Sequence, residues 1–187
     1  MLEPSRLRAS LVALALAGLA AGACHSAGKW GYARSYAPLS EEEDAAEGAR
    51  EYDPVMIERE PESWRKSKIS IFGVVRSRSQ AQGGAAYLTL SIRTLADRNL
   101  CDEMAEDSCR VTVSDHEFGL IHAVVKLEPE DNIGQLSVGQ GSLVRVIGTL
   151  TDSVDKNDGM QVLSASYYRH WPHNYYVTDA ERAHMRM

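Results

Sequence analysis

Lys68-Ile69-Ser70-Ile71-Phe72-Gly73-Val74-Val75-Arg76-Ser77-Arg78 is the stretch on which the fold turns. Ile69, Ile71 and Val75 alternate with Ser70 and Arg76 across Gly73. A period of two puts alternate side chains on opposite faces, so this run reads as a strand with one buried face. Similar runs follow it. Tyr87–Thr94 alternates Leu88, Leu90 and Ile92 with Thr89, Ser91 and Arg93, and Arg110–Asp115 alternates Val111 and Val113 with Thr112 and Ser114. Leu120–Leu127 places Ile121, Ala123, Val125 and Leu127 on one face and His122 and Lys126 on the other. Leu143–Leu150 and Met160–Tyr168 complete the set, separated by Gly, Asp, Asn and Pro clusters. Short alternating strands between turn signals predict an all-β domain, a small barrel or sandwich. A short helix is expected over Glu130–Leu136.

The order of these pieces carries a resemblance. Ile71-Phe72-Gly73-Val74-Val75 is followed by Val111-Thr112-Val113-Ser114-Asp115, Gly119 and Ile121–Leu127. Gly139–Gly141, Val144-Arg145-Val146-Ile147-Gly148 and a last strand around Val162 come next. This succession resembles the OB-fold of the tRNA-anticodon-binding type over roughly residues 68–168. The resemblance implies a five-stranded barrel, with Tyr87–Ser108 as an extra strand and acidic loop inserted between the first and second core strands.

Upstream of the domain the signals concern address. Arg6 and Arg8 precede an apolar stretch from Leu11 to Ala23, and Leu19-Ala20-Ala21-Gly22-Ala23 leads into Cys24. A basic n-region, a short apolar h-region and small residues before a cleavage point describe an export signal. The cysteine after them marks a lipobox, so residues 1–23 read as a lipoprotein signal peptide and Cys24 as the lipid-bearing residue. Ala21-Gly22-Ala23 also satisfies the general A-x-A pattern, which leaves plain secretion as the alternative. The three cysteines fit the lipid reading: Cys24 takes the lipid, and Cys101 and Cys109 pair as a disulfide in an oxidising compartment.

Residues 24–63 lack apolar periodicity and are rich in acids, as in Ser40-Glu41-Glu42-Glu43-Asp44. Such composition predicts a disordered acidic linker, with a helix plausible over Pro54–Trp64. Residues 64–178 form the barrel domain, and 179–187 a polar tail. The lipidated cysteine, the acidic lead-in and Tyr167-Tyr168-Arg169-His170-Trp171-Pro172 are also similar to Slp-type outer-membrane lipoproteins.

The chemistry-bearing motifs are sparse. No G-x-S-x-G elbow and no phosphate loop occurs, and Ser114-Asp115-His116 are chain neighbours whose side chains diverge on a strand. No catalytic residue, cofactor or metal site is expected, and the chain reads as a non-enzymatic binding or scaffold module. The acids Asp102–Asp107 lack the ligand order of a calcium loop. His122, Lys126, Arg145, Tyr168 and Trp171 are the candidate face for a ligand or partner. The aromatics Tyr167–Tyr176 either meet a partner or cover the barrel end.

Nucleic acid is not expected as a partner. The outward positions taken for the second and third strands (Thr112, Ser114, Leu120, His122, Val124 and Lys126) include no aromatic platform, and the net charge is −6. The partners expected instead are the membrane, through the lipid, and other envelope proteins. The site of action is the cell envelope, at the outer membrane facing the periplasm. The alternative is a periplasmic binder of a small ligand or oligosaccharide; a nucleic-acid-binding OB-fold and a metal-dependent enzyme rank below it.

Overall fold

The alternation of the opening stretch continues to Gln80, and the strand it makes, β1 (Lys68–Gln80), touches two others in the computed structural model. The structure describes residues 33–34, 36, 38–96, 99–100, 111–173 and 175–178. β1 is followed by β2 (Ala86–Arg93), β3 (Leu120–Val125), β4 (Leu143–Val154) and β5 (Gln161–Trp171). Their order in the sheet is β1-β2-β3-β5-β4, and β4 pairs back onto β1 from Lys68↔Thr149 to Val74↔Leu143. The sheet is therefore closed. Among these five strands every pairing is antiparallel except β3 with β5, which run parallel from His122↔Val162 to Val124↔Ser164, and Arg50–Glu51 adds a short parallel edge to β1. Five strands in this order make an OB-fold.

Inward positions fill the barrel as the period-two reading requires. Ile69, Ile71 and Val75 meet Leu88, Leu90, Ile92, Ile121, Ala123, Val125, Val144, Val146, Leu150 and Leu163, all buried in one cluster. Burying one such side chain is worth about 1.5–3 kcal/mol relative to leaving it in water. Gly148 lies where the β4–β5 register shifts, between Ile147 and Gly148. A Cβ there would stand 2.1 Å from the Ser164 carbonyl oxygen, so only glycine lets the two strands approach this closely.

The inserted piece is not the one the sequence suggests. Ala86–Arg93 is the second barrel strand, whereas only Thr112–Val113 of the run 110–115 is a strand, paired in parallel with Val177–Thr178 outside the barrel. Both runs alternate equally well, and periodicity alone cannot say which finds a barrel edge. Val111 and Val113 join Leu143 and Trp171 in a second buried cluster, with Tyr36, Phe72, Val74, Leu95, Tyr175 and Tyr176 packed around it. This outer layer covers Phe72 and Val74 of β1, Leu143 of β4 and Trp171 of β5.

Among the described residues before the barrel, three short pieces are helical. α1 (Ser40–Ala46) packs on β5 and buries Glu42. The helix expected over Pro54–Trp64 divides into α2 (Pro54–Arg59) and α3 (Pro61–Trp64), because Pro61 cannot continue a helix and opens a new one. Asp53 caps α2 by accepting from the Val55 and Met56 amides, both at 3.0 Å. Trp64 completes the barrel core, with the Arg50 guanidinium 3.7 Å over its ring. α4 (Pro129–Asn132) stands between β3 and β4, shorter than the expected Glu130–Leu136.

Candidate functional site

Pleating turns Tyr87, Thr89 and Ser91 of β2 and His122 of β3 to the outside of the barrel, opposite the buried Leu88, Leu90, Ile121 and Ala123. His122 lies directly across from Thr89 in the register. The turn joining β4 to β5 comes up beside them. It is a hairpin closed by Asp155 N–H to Met160 O (2.8 Å) and Gly159 N–H to Asp155 O (2.8 Å). Gly159 takes a φ of +75°, a left-handed conformation that disfavours side chains.

A continuous polar chain crosses this face. The Ser77 hydroxyl donates to Thr89 Oγ1 at 3.0 Å, and Thr89 Oγ1 is 3.2 Å from His122 Nδ1. His122 Nε2 is 2.8 Å from Asp158 Oδ2. Beside it the Tyr87 hydroxyl donates to Asp155 Oδ2 at 2.6 Å, and the Tyr87 and His122 rings lie 4.8 Å apart. Burial, and then the hydrogen bond to Asp155, raises the Tyr87 pKa above its ordinary value. The same bond, with the Asn157 amide, holds the Asp155 carboxyl below its own. At the other end of the face Glu117 accepts from the Ser91 hydroxyl and from Arg76 at 2.9 Å, and those two bonds depress its pKa. A tilted ring pair, hydroxyls and carboxylates thus converge on one surface.

A second polar cluster ties the N-terminal segment down. Glu42, fully buried, is paired with Arg145 Nη1 at 2.6 Å and Arg169 Nη1 at 3.1 Å, and accepts from the Tyr36 hydroxyl. Burial pushes the Glu42 pKa up, but hydrogen bonds from Tyr36 and Arg145 outweigh it and hold the carboxyl below its ordinary value of 4.5.

The residues picked from sequence fall in several places. His122 lies at the centre of the β2–β3 face, and Lys126 is exposed just beyond the end of β3. Arg145 is engaged by Glu42 and Ser70 under α1, away from His122. Tyr168 donates its hydroxyl to Asp131 at 2.6 Å and accepts from the Glu128 amide at 2.9 Å, bracing α4. Trp171 is fully buried and stacks on Phe72 in the layer on the outer side of the barrel. Cys24, Cys101 and Cys109 lie outside the described residues, as do residues 1–23 and 179–187. Sequence reasoning missed Tyr87, Thr89, Asp155 and Asp158. The signal that marks the turn is Asp155-Lys156-Asn157-Asp158-Gly159 between the last two alternating runs.

No protein-family model and no curated protein matches the chain. Among solved structures, it is similar to the mitochondrial single-stranded DNA-binding protein of S. cerevisiae at 18% identity and a TM-score of 0.31, over 58% of this chain and 98% of that one. It is also similar to a deletion mutant of the single-stranded DNA-binding protein from Thermus aquaticus at 18% identity and a TM-score of 0.29, over 59% of this chain and 53% of that one.

The expectation that excluded nucleic acid from the partners is corrected. The structural neighbours are single-stranded DNA-binding proteins. The exclusion also rested on the wrong strand: with Ala86–Arg93 as β2, the outward face does carry an aromatic ring, Tyr87.

Proposed function

We propose that this chain is a lipid-anchored envelope protein presenting an OB barrel as a non-enzymatic binding module, with the β2–β3 face as its ligand surface. The observation that carries the ligand surface is the division of the barrel exterior. Phe72 and Val74 of β1, Leu143 of β4 and Trp171 of β5 lie under an apolar second layer, and Arg145 and Arg169 under Glu42, while β2 and β3 bear the tilted ring pair Tyr87 and His122 among hydroxyls and carboxylates. In OB-folds the surface of the second and third strands and the loop between the fourth and fifth take oligonucleotides or oligosaccharides.

The ligand class favoured by these groups is an oligosaccharide. Sugar hydroxyls donate to Asp155, Asp158 and Glu117, and the apolar face of a pyranose lies against Tyr87, a ring with an apolar body and a polar tip. The run Leu19-Ala20-Ala21-Gly22-Ala23-Cys24, read as a lipobox, supports the envelope as the place where such a ligand is met. Titrating the full mature chain with an N-acetylglucosamine tetramer tests the reading. The expected result is saturable binding with a rise in melting temperature that follows RT ln(1 + [L]/Kd), and loss of both in Tyr87→Ala. No binding by the tetramer, or capture of an oligo-dT strand in its place, contradicts it. An intact mass lacking acyl chains on Cys24 contradicts the anchor.

A further inference from the structure

Three side chains that are distant in sequence meet at one rim of the barrel. His122 stands on β3, Asp155 and Asp158 on the β4–β5 turn, and one donor atom of each lies within 4.8 Å of the others. His122 Nε2 and Asp158 Oδ2 are hydrogen-bonded at 2.8 Å, and opening that pair by about 0.5 Å gives the spacing of adjacent tetrahedral ligands on an ion bound at about 2.0–2.1 Å.

The surroundings orient these donors. The His122 side chain is only 6% exposed, so its ring is held, and Nδ1 meets Thr89. A partner on the second ring nitrogen is what fixes the tautomer and orientation of a metal-binding histidine. Each carboxylate spends one oxygen on its own turn: Asp155 Oδ1 accepts from the Asn157 amide at 2.7 Å and Asp158 Oδ1 from the Met160 amide at 2.9 Å. The remaining oxygen of Asp158 faces the imidazole, and that of Asp155 is aimed by the Tyr87 hydroxyl. One neutral imidazole and two carboxylates carry the charge that balances a dication.

We propose that His122, Asp155 and Asp158 form a binding site for a divalent transition-metal ion of the zinc type, with a coordination position open toward the β2–β3 face. The imidazole selects this class over calcium, which takes oxygen ligands. Binding takes the Nε2 position of the proton shared with Asp158: the nitrogen lone pair and both carboxylates bind the ion, and the neutral imidazole keeps its one proton on Nδ1, facing Thr89 Oγ1. The wider donor pairs, all within 4.8 Å, close by at most about 1.5 Å to reach tetrahedral spacing, within reach of the side-chain torsions of an aspartate on a turn. The site shares residues with the proposed ligand face, yet it stands or falls without any sugar.

The test is calorimetric titration of the chelator-stripped full chain with zinc chloride, in the absence of glycan. One zinc per chain is expected. Asp155→Asn and Asp158→Asn, which keep every histidine, weaken binding at least tenfold, and Thr89→Ala weakens it by about tenfold. Cobalt added to the unaltered chain gives the visible absorption of a four- or five-coordinate ion, which needs no variant to fold. Absence of saturable zinc binding, equal binding by the two asparagine variants, or cobalt spectra of the free aquo ion would overturn the proposal. Repeating the sugar titration on zinc-free protein separates failure of the metal site from failure of the ligand surface.

Discussion

Glu42 shows how one side chain can decide the fate of a segment. Its carboxylate is buried between Arg145 and Arg169, and it is the only fully buried acid among the described residues. Removing it in Glu42→Ala leaves two cations without their counter-charge, and breaking a buried pair costs about 3–5 kcal/mol. The urea midpoint is expected to fall accordingly, and an unchanged midpoint would show that the cluster contributes nothing. The pH dependence has a definite sign. The folded carboxyl titrates below its ordinary value of 4.5, so the native state holds fewer protons than the unfolded one in that window. Its contribution is complete above the unfolded pKa and is lost as pH falls through the folded one. Acid titration followed by circular dichroism is expected to show wild type losing stability below about pH 4.5, and Glu42→Gln losing less. None of this was legible beforehand: Ser40–Asp44 reads as solvated because composition reports charge but not the arginines that Arg145 and Arg169 place across the fold.

At the scale of elements, the strands were the legible part and their partners were not. Alternation in Lys68–Arg78, Tyr87–Thr94, Leu120–Leu127 and Leu143–Leu150 marks the residues that line the barrel, because burial on one face imposes period two. Pairing is a tertiary choice. Val111-Thr112-Val113 alternates as well as Leu88-Thr89-Leu90, yet it packs into the outer layer with Trp171, and the misassigned strand hid Tyr87 from the candidate face. The β4–β5 crossing supplies a sharper test. Gly148→Ala drives a methyl into the Ser164 carbonyl and is expected to destabilise by about 3 kcal/mol, whereas Gly139→Ala, whose nearest neighbour is 3.9 Å away, does not clash. Equal melting temperatures for the two variants would mean that the strands separate freely at the register shift.

The whole molecule is a barrel with one side of its exterior built over. Tyr36, Leu95, Val111, Val113, Tyr175 and Tyr176 come from three separate stretches of chain to cover Phe72, Val74, Leu143 and Trp171. Truncating the shared ring in Trp171→Ala is expected to cost about 3–5 kcal/mol. Because that layer rests on strands that also form the barrel, fluorescence and far-ultraviolet circular dichroism are expected to report one coincident transition in wild type. Two separated transitions would mean that the layer melts on its own. The same arrangement leaves binding to the β2–β3 side, where rings, hydroxyls and acids converge from β2, β3 and the β4–β5 turn. Mapping backbone amide shifts of the full mature chain during titration with the N-acetylglucosamine tetramer tests this most directly. The expected result is a contiguous set of shifts at Tyr87, Thr89, His122 and Asp155–Asp158; shifts confined to the Tyr36–Phe72–Phe118 side of the barrel, or none anywhere, would contradict it.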